Sequence, residues 1–172
     1  MPCCGIWEID FGKRPFAQIE ISKLDLKELQ RLALKEHETF FKRNPRLKKA
    51  YHSSLIGIAL CQGAASHYIN PNVGIKDFDI WLFYLKNQNI NFWCRRRKSV
   101  ENGYKYKRID FLRRVINRDL CNFYSNEPDK CIIEYLFQRN TKTKRFLLKK
   151  AVVGLFPNKI FGKVIRKGEL SR

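Results

Sequence analysis

Apolar positions change period along the chain, and each change marks an element. Near the start, Trp7, Ile9 and Phe11 alternate with Ile6, Glu8 and Asp10. After Gly12-Lys13-Arg14-Pro15, Phe16 to Ile21 alternates again, which predicts a hairpin over residues 6–21. From Ser22 the period lengthens to about 3.6 residues. Leu26, Leu29, Ala33, His37 and Phe40 fall on one stripe, Ser22 and Asp25 stand at capping-box spacing, and Asn44-Pro45 ends the helix. His37 on that stripe is expected to be a satisfied core or boundary histidine rather than a ligand. Leu55 to Cys61 is a short apolar run of strand length. Gln62 to Tyr68 predicts a short helix, Asn70-Pro71-Asn72-Val73-Gly74 a turn, and Ile75 to Tyr84 the strongest strand of the chain. Lys86 to Tyr106 is polar and basic without a clear period, and Lys107 to Leu112 reads as a further strand. The remainder predicts helices, broken at Asn126-Glu127-Pro128-Asp129 and at Phe156-Pro157-Asn158. The order of elements predicts an α/β (α+β) fold: a mixed sheet flanked by helices, with a core over about 22–120 and C-terminal helices over about 129–172. No internal repeat or Gly/Ser-rich linker interrupts it, so residues 1–172 are expected to form one domain.

Composition changes this picture mainly through charge. The 172 residues carry 35 Lys and Arg against 16 Asp and Glu, a formal charge of +19, with 44% apolar residues. That apolar content excludes a disordered or low-complexity chain. No apolar run approaches the ~20 residues needed to cross a bilayer, so no membrane partner is expected. Excess positive charge repels itself unless a polyanion compensates, and nucleic acid is the commonest one. The six cysteines, Cys3, Cys4, Cys61, Cys94, Cys121 and Cys131, are expected to be reduced thiols without a disulfide-linked partner. Met1 to Trp7 lacks the pattern of a secretory signal, so a cytoplasmic setting is expected. The spacing of the three histidines and the absence of a C-x2-C pair argue against structural zinc.

The segment that carries chemistry is Gly63-Ala64 followed, after twelve intervening residues, by Asp77-Phe78-Asp79-Ile80. Residues two apart on a strand share a face, so Asp77 and Asp79 are expected side by side. Adjacent carboxylates repel, and a hard divalent cation, Mg²⁺ or Mn²⁺, resolves the conflict. Asp110, between Ile109 and Phe111, is the best third acid, with Asp119 as the runner-up. A structural partner role for Asp110, toward Arg108 or Arg113, is the alternative. A glycine at the strand-to-helix turn lets backbone N–H groups approach a triphosphate. The pattern of alternating acids also occurs at Glu8-Ile9-Asp10, where no glycine turn precedes it, and a salt-bridged surface remains open for Asp77 and Asp79. Trp81 and Phe83 share the aspartates' strand face and are expected to be core beneath them.

On these residues the chain resembles the polymerase-β-like nucleotidyltransferase superfamily, over about residues 54–112. The stretches Leu60 to Tyr68 and Gly74 to Trp81, and the tail Lys149 to Pro157, are also similar to a small group of uncharacterised bacterial nucleotidyltransferase-like proteins. The resemblance implies transfer of a nucleoside monophosphate from a nucleoside triphosphate to a hydroxyl, with release of pyrophosphate. It implies that Asp77 and Asp79 bridge the metals, that Asp110 completes the metal on the attacking side, and that Gly63, Ala64 and Arg108 meet the nucleotide. The sequence departs from the superfamily at Ala64, which lacks a serine's hydroxyl, and at Gln62, where an apolar residue is usual.

A basic face accompanies this segment. Arg95, Arg96, Arg97 and Lys98, with Lys105 and Lys107, flank the strand of Asp110, interleaved with Phe92, Trp93, Tyr104 and Tyr106. Lys142, Arg145 and Lys149 line one side of a predicted helix, opposite Leu147, Leu148, Ala151, Val152 and Leu155. Basic residues neutralise phosphates and aromatics stack on unpaired bases, so RNA, with tRNA among its forms, is the expected partner. Two alternatives stand: an inactive nucleotidyltransferase-like module that binds RNA or protein, and a small-molecule nucleotidyltransferase.

Overall fold

The computed structural model describes residues 20–72, 74–92, 98–105, 107–123, 127–139 and 152–165. The hairpin expected over 6–21, apart from its last two residues, lies outside them, as do Cys3, Cys4, Cys94, Trp93, Tyr106, Arg95, Arg96, Arg97, Lys142, Arg145 and Lys149.

Helix α1 spans Lys23–Arg43, then α2 (Pro45–Tyr51) and a 3₁₀ turn (His52–Ser54) lead into β1 (Leu55–Cys61). The capping box at its start forms as the sequence predicts. The Ser22 hydroxyl accepts from the Asp25 N–H (3.2 Å) and the Asp25 carboxylate accepts from the Ser22 N–H (2.7 Å). Asp25 also accepts from the Tyr104 hydroxyl and pairs with the Lys105 ammonium at 2.8 Å. Burial alone would raise the Asp25 pKa, but Lys105, Tyr104 and Ser22 together hold it well below the usual carboxylate range. Leu26, Leu29, Ala33 and Phe41 are fully buried, and His37 is buried with its Nδ1 3.0 Å from the Tyr84 hydroxyl.

Six strands form one sheet in the order β3-β4-β2-β1-β5-β6. After β1 come α3 (Gln62–Ile69), β2 (Phe78–Leu85), β3 (Lys98–Tyr104) and β4 (Lys107–Ile116). Then follow α4 (Arg118–Phe123), α5 (Pro128–Arg139), β5 (Val152–Phe156) and β6 (Val164–Ile165). Strands β2 and β4 are parallel, while the pairs β1/β2, β1/β5, β3/β4 and β5/β6 are antiparallel. The fold is therefore α/β with a mixed sheet. One apolar cluster joins Ile58, Leu60, Phe78, Ile80, Leu82 and Phe111 to α1 and α3. The other joins Ala59, Cys61, Trp81 and Phe83 to Cys121 of α4 and to Ile132, Ile133 and Leu136 of α5. Helices thus cover both faces, and alternate strand residues serve different cores.

The C-terminal segment differs from its expected helices. After α5 the chain returns to the sheet as β5, beside β1, and ends its described part with β6. Val152 and Leu155, a helical i,i+3 pair by spacing, serve opposite faces of the sheet. A short wholly apolar run fits a buried helix and a buried strand equally, and here both strand faces are covered. Gly154 is needed in this arrangement, because a Cβ there would lie 2.1 Å from the Ile160 carbonyl oxygen. The strand expected from Ile75 begins at Phe78, where pairing with Ile109 starts. The strand expected over 107–112 runs on to Ile116 because its pairing follows β2 to Leu85.

Candidate functional site

Strand register brings the acids together. Asp79 of β2 is the direct partner of Asp110 of β4, and Cys61 of β1 is the partner of Asp79. Neighbouring strands lie about 4.8 Å apart, so the two aspartates stand shoulder to shoulder. By strand parity Asp79 shares the face of Trp81 and Phe83, and Asp110 that of Leu112, which is the face covered by α5. Both aspartates are buried, Asp110 to 1% exposure. Asp77 precedes β2 rather than lying within it, and remains partly exposed. Arg108 Nη2 joins it to the others, 3.3 Å from Asp77 Oδ2 and 3.1 Å from Asp110 Oδ2.

All three acids occupy the sheet end at which β1 finishes and β2 and β4 begin. Gly63 lies there too, second residue of α3. Two features of this turn are informative. Gln62 adopts a left-handed backbone with φ of 58°, a conformation costing a non-glycine residue roughly 1–2 kcal/mol. Gly63, by contrast, has no positive φ, and a Cβ added there would meet nothing within 4 Å. The fold would accept alanine at 63. Ala64 faces the other way, wholly buried in the cluster between α3 and the sheet, so its methyl takes no part in the site. Only its backbone could reach a ligand.

The electrostatics set limits on the chemistry. Burial pushes the Cys61 thiol well up, and nearby Asp79 adds to this, so Cys61 stays protonated and is no nucleophile. Arg114 shares the parity of Asp110, and its guanidinium lies over the Trp81 ring at 4.9 Å. The even spacing of Arg114 from Asp110 along one strand is the signal in the sequence that puts the two on one face. Trp81 and Phe83 are buried beneath the acids, as expected of core residues.

Other expected residues lie elsewhere. Arg113 points to the opposite face, where it pairs with Glu36 at 2.7 Å and covers the Phe40 ring. It is no partner of Asp110 in this pairing. Asp119 opens α4, beyond the far end of β4 from Asp110, and is exposed. Lys105 is committed to Asp25 and to the Glu20 carbonyl. Tyr104 packs on Phe78 and donates to Asp25, and Phe92 packs against Tyr51, Tyr84, Phe40 and Phe41. Both residues are half-buried in these contacts. Lys107 begins β4 and Lys98 begins β3.

Comparison with protein-family models, with curated proteins and with solved structures gives no significant match. Among the described residues, no helix is long and apolar enough to cross a membrane, and Cys61, Cys121 and Cys131 are free and buried.

Proposed function

We propose that the chain is a metal-dependent nucleotidyltransferase acting on RNA. The observation that carries this reading is the register Asp79–Asp110 on parallel strands, with Asp77 drawn to Asp110 through Arg108, at the sheet end that also holds Gly63. Clustered carboxylates on rigid strands are hard oxygen ligands suited to Mg²⁺ or Mn²⁺. Such a cation would polarise phosphoryl oxygens and lower the pKa of the attacking hydroxyl. The chain's own residues would do the rest. Asp77 and Asp79 would hold the cation, and Asp110 would complete its ligands and orient the acceptor. The open space over Gly63 would admit a triphosphate to the N-terminal N–H groups of α3. Arg108, released from the carboxylates as a cation arrives, would turn to phosphate charge. The +19 formal charge supports RNA over a small cationic acceptor.

One observation favours the non-catalytic module instead: Arg108 already spans Asp77 and Asp110, doing electrostatically what a cation would do. Incubation with labelled nucleoside triphosphates, Mg²⁺ or Mn²⁺ and total RNA decides between them. The enzyme reading expects label in RNA, lost in Asp79→Asn. Binding of triphosphate without incorporation would support the module, and label on small acceptors alone the small-molecule enzyme.

A further inference from the structure

A second group of ligand atoms lies far from the carboxylates in sequence. The α1 helix carries His37 and Glu38, and the reversal at Asn44-Pro45 brings His52 of the 3₁₀ turn back against them. His52 Nε2 is 3.0 Å from each carboxylate oxygen of Glu38, and His37 Nε2 is 3.8 Å from Oε1. The two imidazoles approach with ring centroids 4.9 Å apart, and one ligand atom from each of the three residues lies within 4.8 Å of the others.

We propose that His37, Glu38 and His52 form a binding site for a divalent transition cation, Zn²⁺ by the chemistry of the ligands. Two imidazole nitrogens and one carboxylate oxygen are a known zinc set, with a fourth position open to water. Bonds of about 2.0–2.1 Å to a tetrahedral ion place ligand atoms roughly 3.3 Å apart. The two His–Glu separations, 3.0 and 3.8 Å, lie on either side of that value and the remaining pair lies within 4.8 Å, so rotations about the side-chain bonds would close the site. The supporting contacts are also in place. His37 Nδ1 faces the hydroxyl of buried Tyr84 at 3.0 Å. With the Nδ1 proton donated to that oxygen, Nε2 would be the unprotonated nitrogen presented to a cation. Glu38 is exposed, so an ion has a direct path from solvent. Bound there, it would staple α1 to the turn that leads into β1. Sequence spacing concealed the group, because only the reversal brings position 52 to 37 and 38.

The site stands apart from the nucleotidyltransferase reading and is tested separately. Chelator-treated full-length protein is titrated with ZnCl2 by calorimetry. Wild type should take up one ion at this site. Glu38→Gln and His52→Ala, both changes at solvent-accessible side chains, should each weaken it by more than about tenfold, the loss expected even for a supporting group. Asp79→Asn should leave it unchanged. Cobalt(II) substitution should give a tetrahedral spectrum without thiolate charge transfer. No zinc uptake by wild type, equal uptake by both cluster variants, or a thiolate signature would overturn the proposal. Any of these would leave a His52–Glu38 ion pair and no metal site.

Discussion

At residue 63 the fold and the proposed chemistry make different demands. The backbone there is ordinary and the space above it is open, so alanine fits. Alanine is also the better helix former, by up to about 1 kcal/mol. Gly63→Ala should therefore leave urea stability equal or slightly raised. If a triphosphate lies against this backbone, the added methyl meets it, and nucleotide affinity should fall by more than about tenfold, or ~1.4 kcal/mol. Fluorescence titration of a nucleoside triphosphate checks this, and unchanged affinity would remove Gly63 from the site. The neighbouring Ala64 shows how position decides a residue's part. The sequence places it beside Gly63 on the proposed phosphate turn, yet one residue along a helix rotates a side chain by about 100°. Its methyl consequently lies in the core. Arg108 was legible both as a phosphate ligand and as a partner of Asp110. The Asp77 contact was not, because it depends on how residues 74–77 approach the sheet.

Among elements, those with one strong pattern were legible. Helix α1 has an apolar stripe, a capping box and a terminating Asn-Pro; β1 is an apolar run; β2 alternates two deep cores. β3 was missed because an edge strand with Lys98, Glu101 and Asn102 carries polar residues that discourage further pairing. β5 was missed because its continuous apolar run has no period to separate strand from helix. The start of α1 gives a prediction of its own, since Asp25 ties that helix to the β3–β4 hairpin through Lys105 and Tyr104. Burial, then the bond to Asp25, pushes the Tyr104 hydroxyl up to about 12, so it remains a donor at neutral pH. The Asp25 carboxyl is held below its unfolded value of about 3.9. Its contribution is therefore full above about pH 5 and is lost as pH falls through ~4 and below. Asp25→Asn should be less stable than wild type at pH 7 and should lose less stability between about pH 5 and pH 2. Urea unfolding across that range measures both, and parallel pH curves would contradict the assignment.

Over the whole molecule, the two-sided sheet sets Asp79 and Asp110 at one end, beside Asp77, while the +19 formal charge supports the proposed polyanion partner. RNA affinity should fall with salt by about 0.7–0.9 units of log affinity per log unit of salt for each phosphate neutralised. Replacing Arg95, Arg96, Arg97 and Lys98 together by Ala should flatten that slope by roughly 2 to 3 units while leaving metal binding intact. Filter binding over a salt series reads the slope, and a flat response would end the nucleic-acid reading. At the centre of the proposed function, Asp79 and Asp110, paired in register, would hold a divalent cation. Calorimetric titration of Mn²⁺ into chelator-treated protein tests it most directly, in a Glu38→Gln background so that the histidine cluster does not contribute. Binding should be saturable, and Asp79→Asn and Asp110→Asn should each abolish it. Asp79→Asn should also melt higher than its parent without metal, because relieving the repulsion between adjacent carboxylates stabilises the fold. Equal Mn²⁺ affinity in these variants, or a marked loss of metal-free stability in Asp79→Asn, would contradict it.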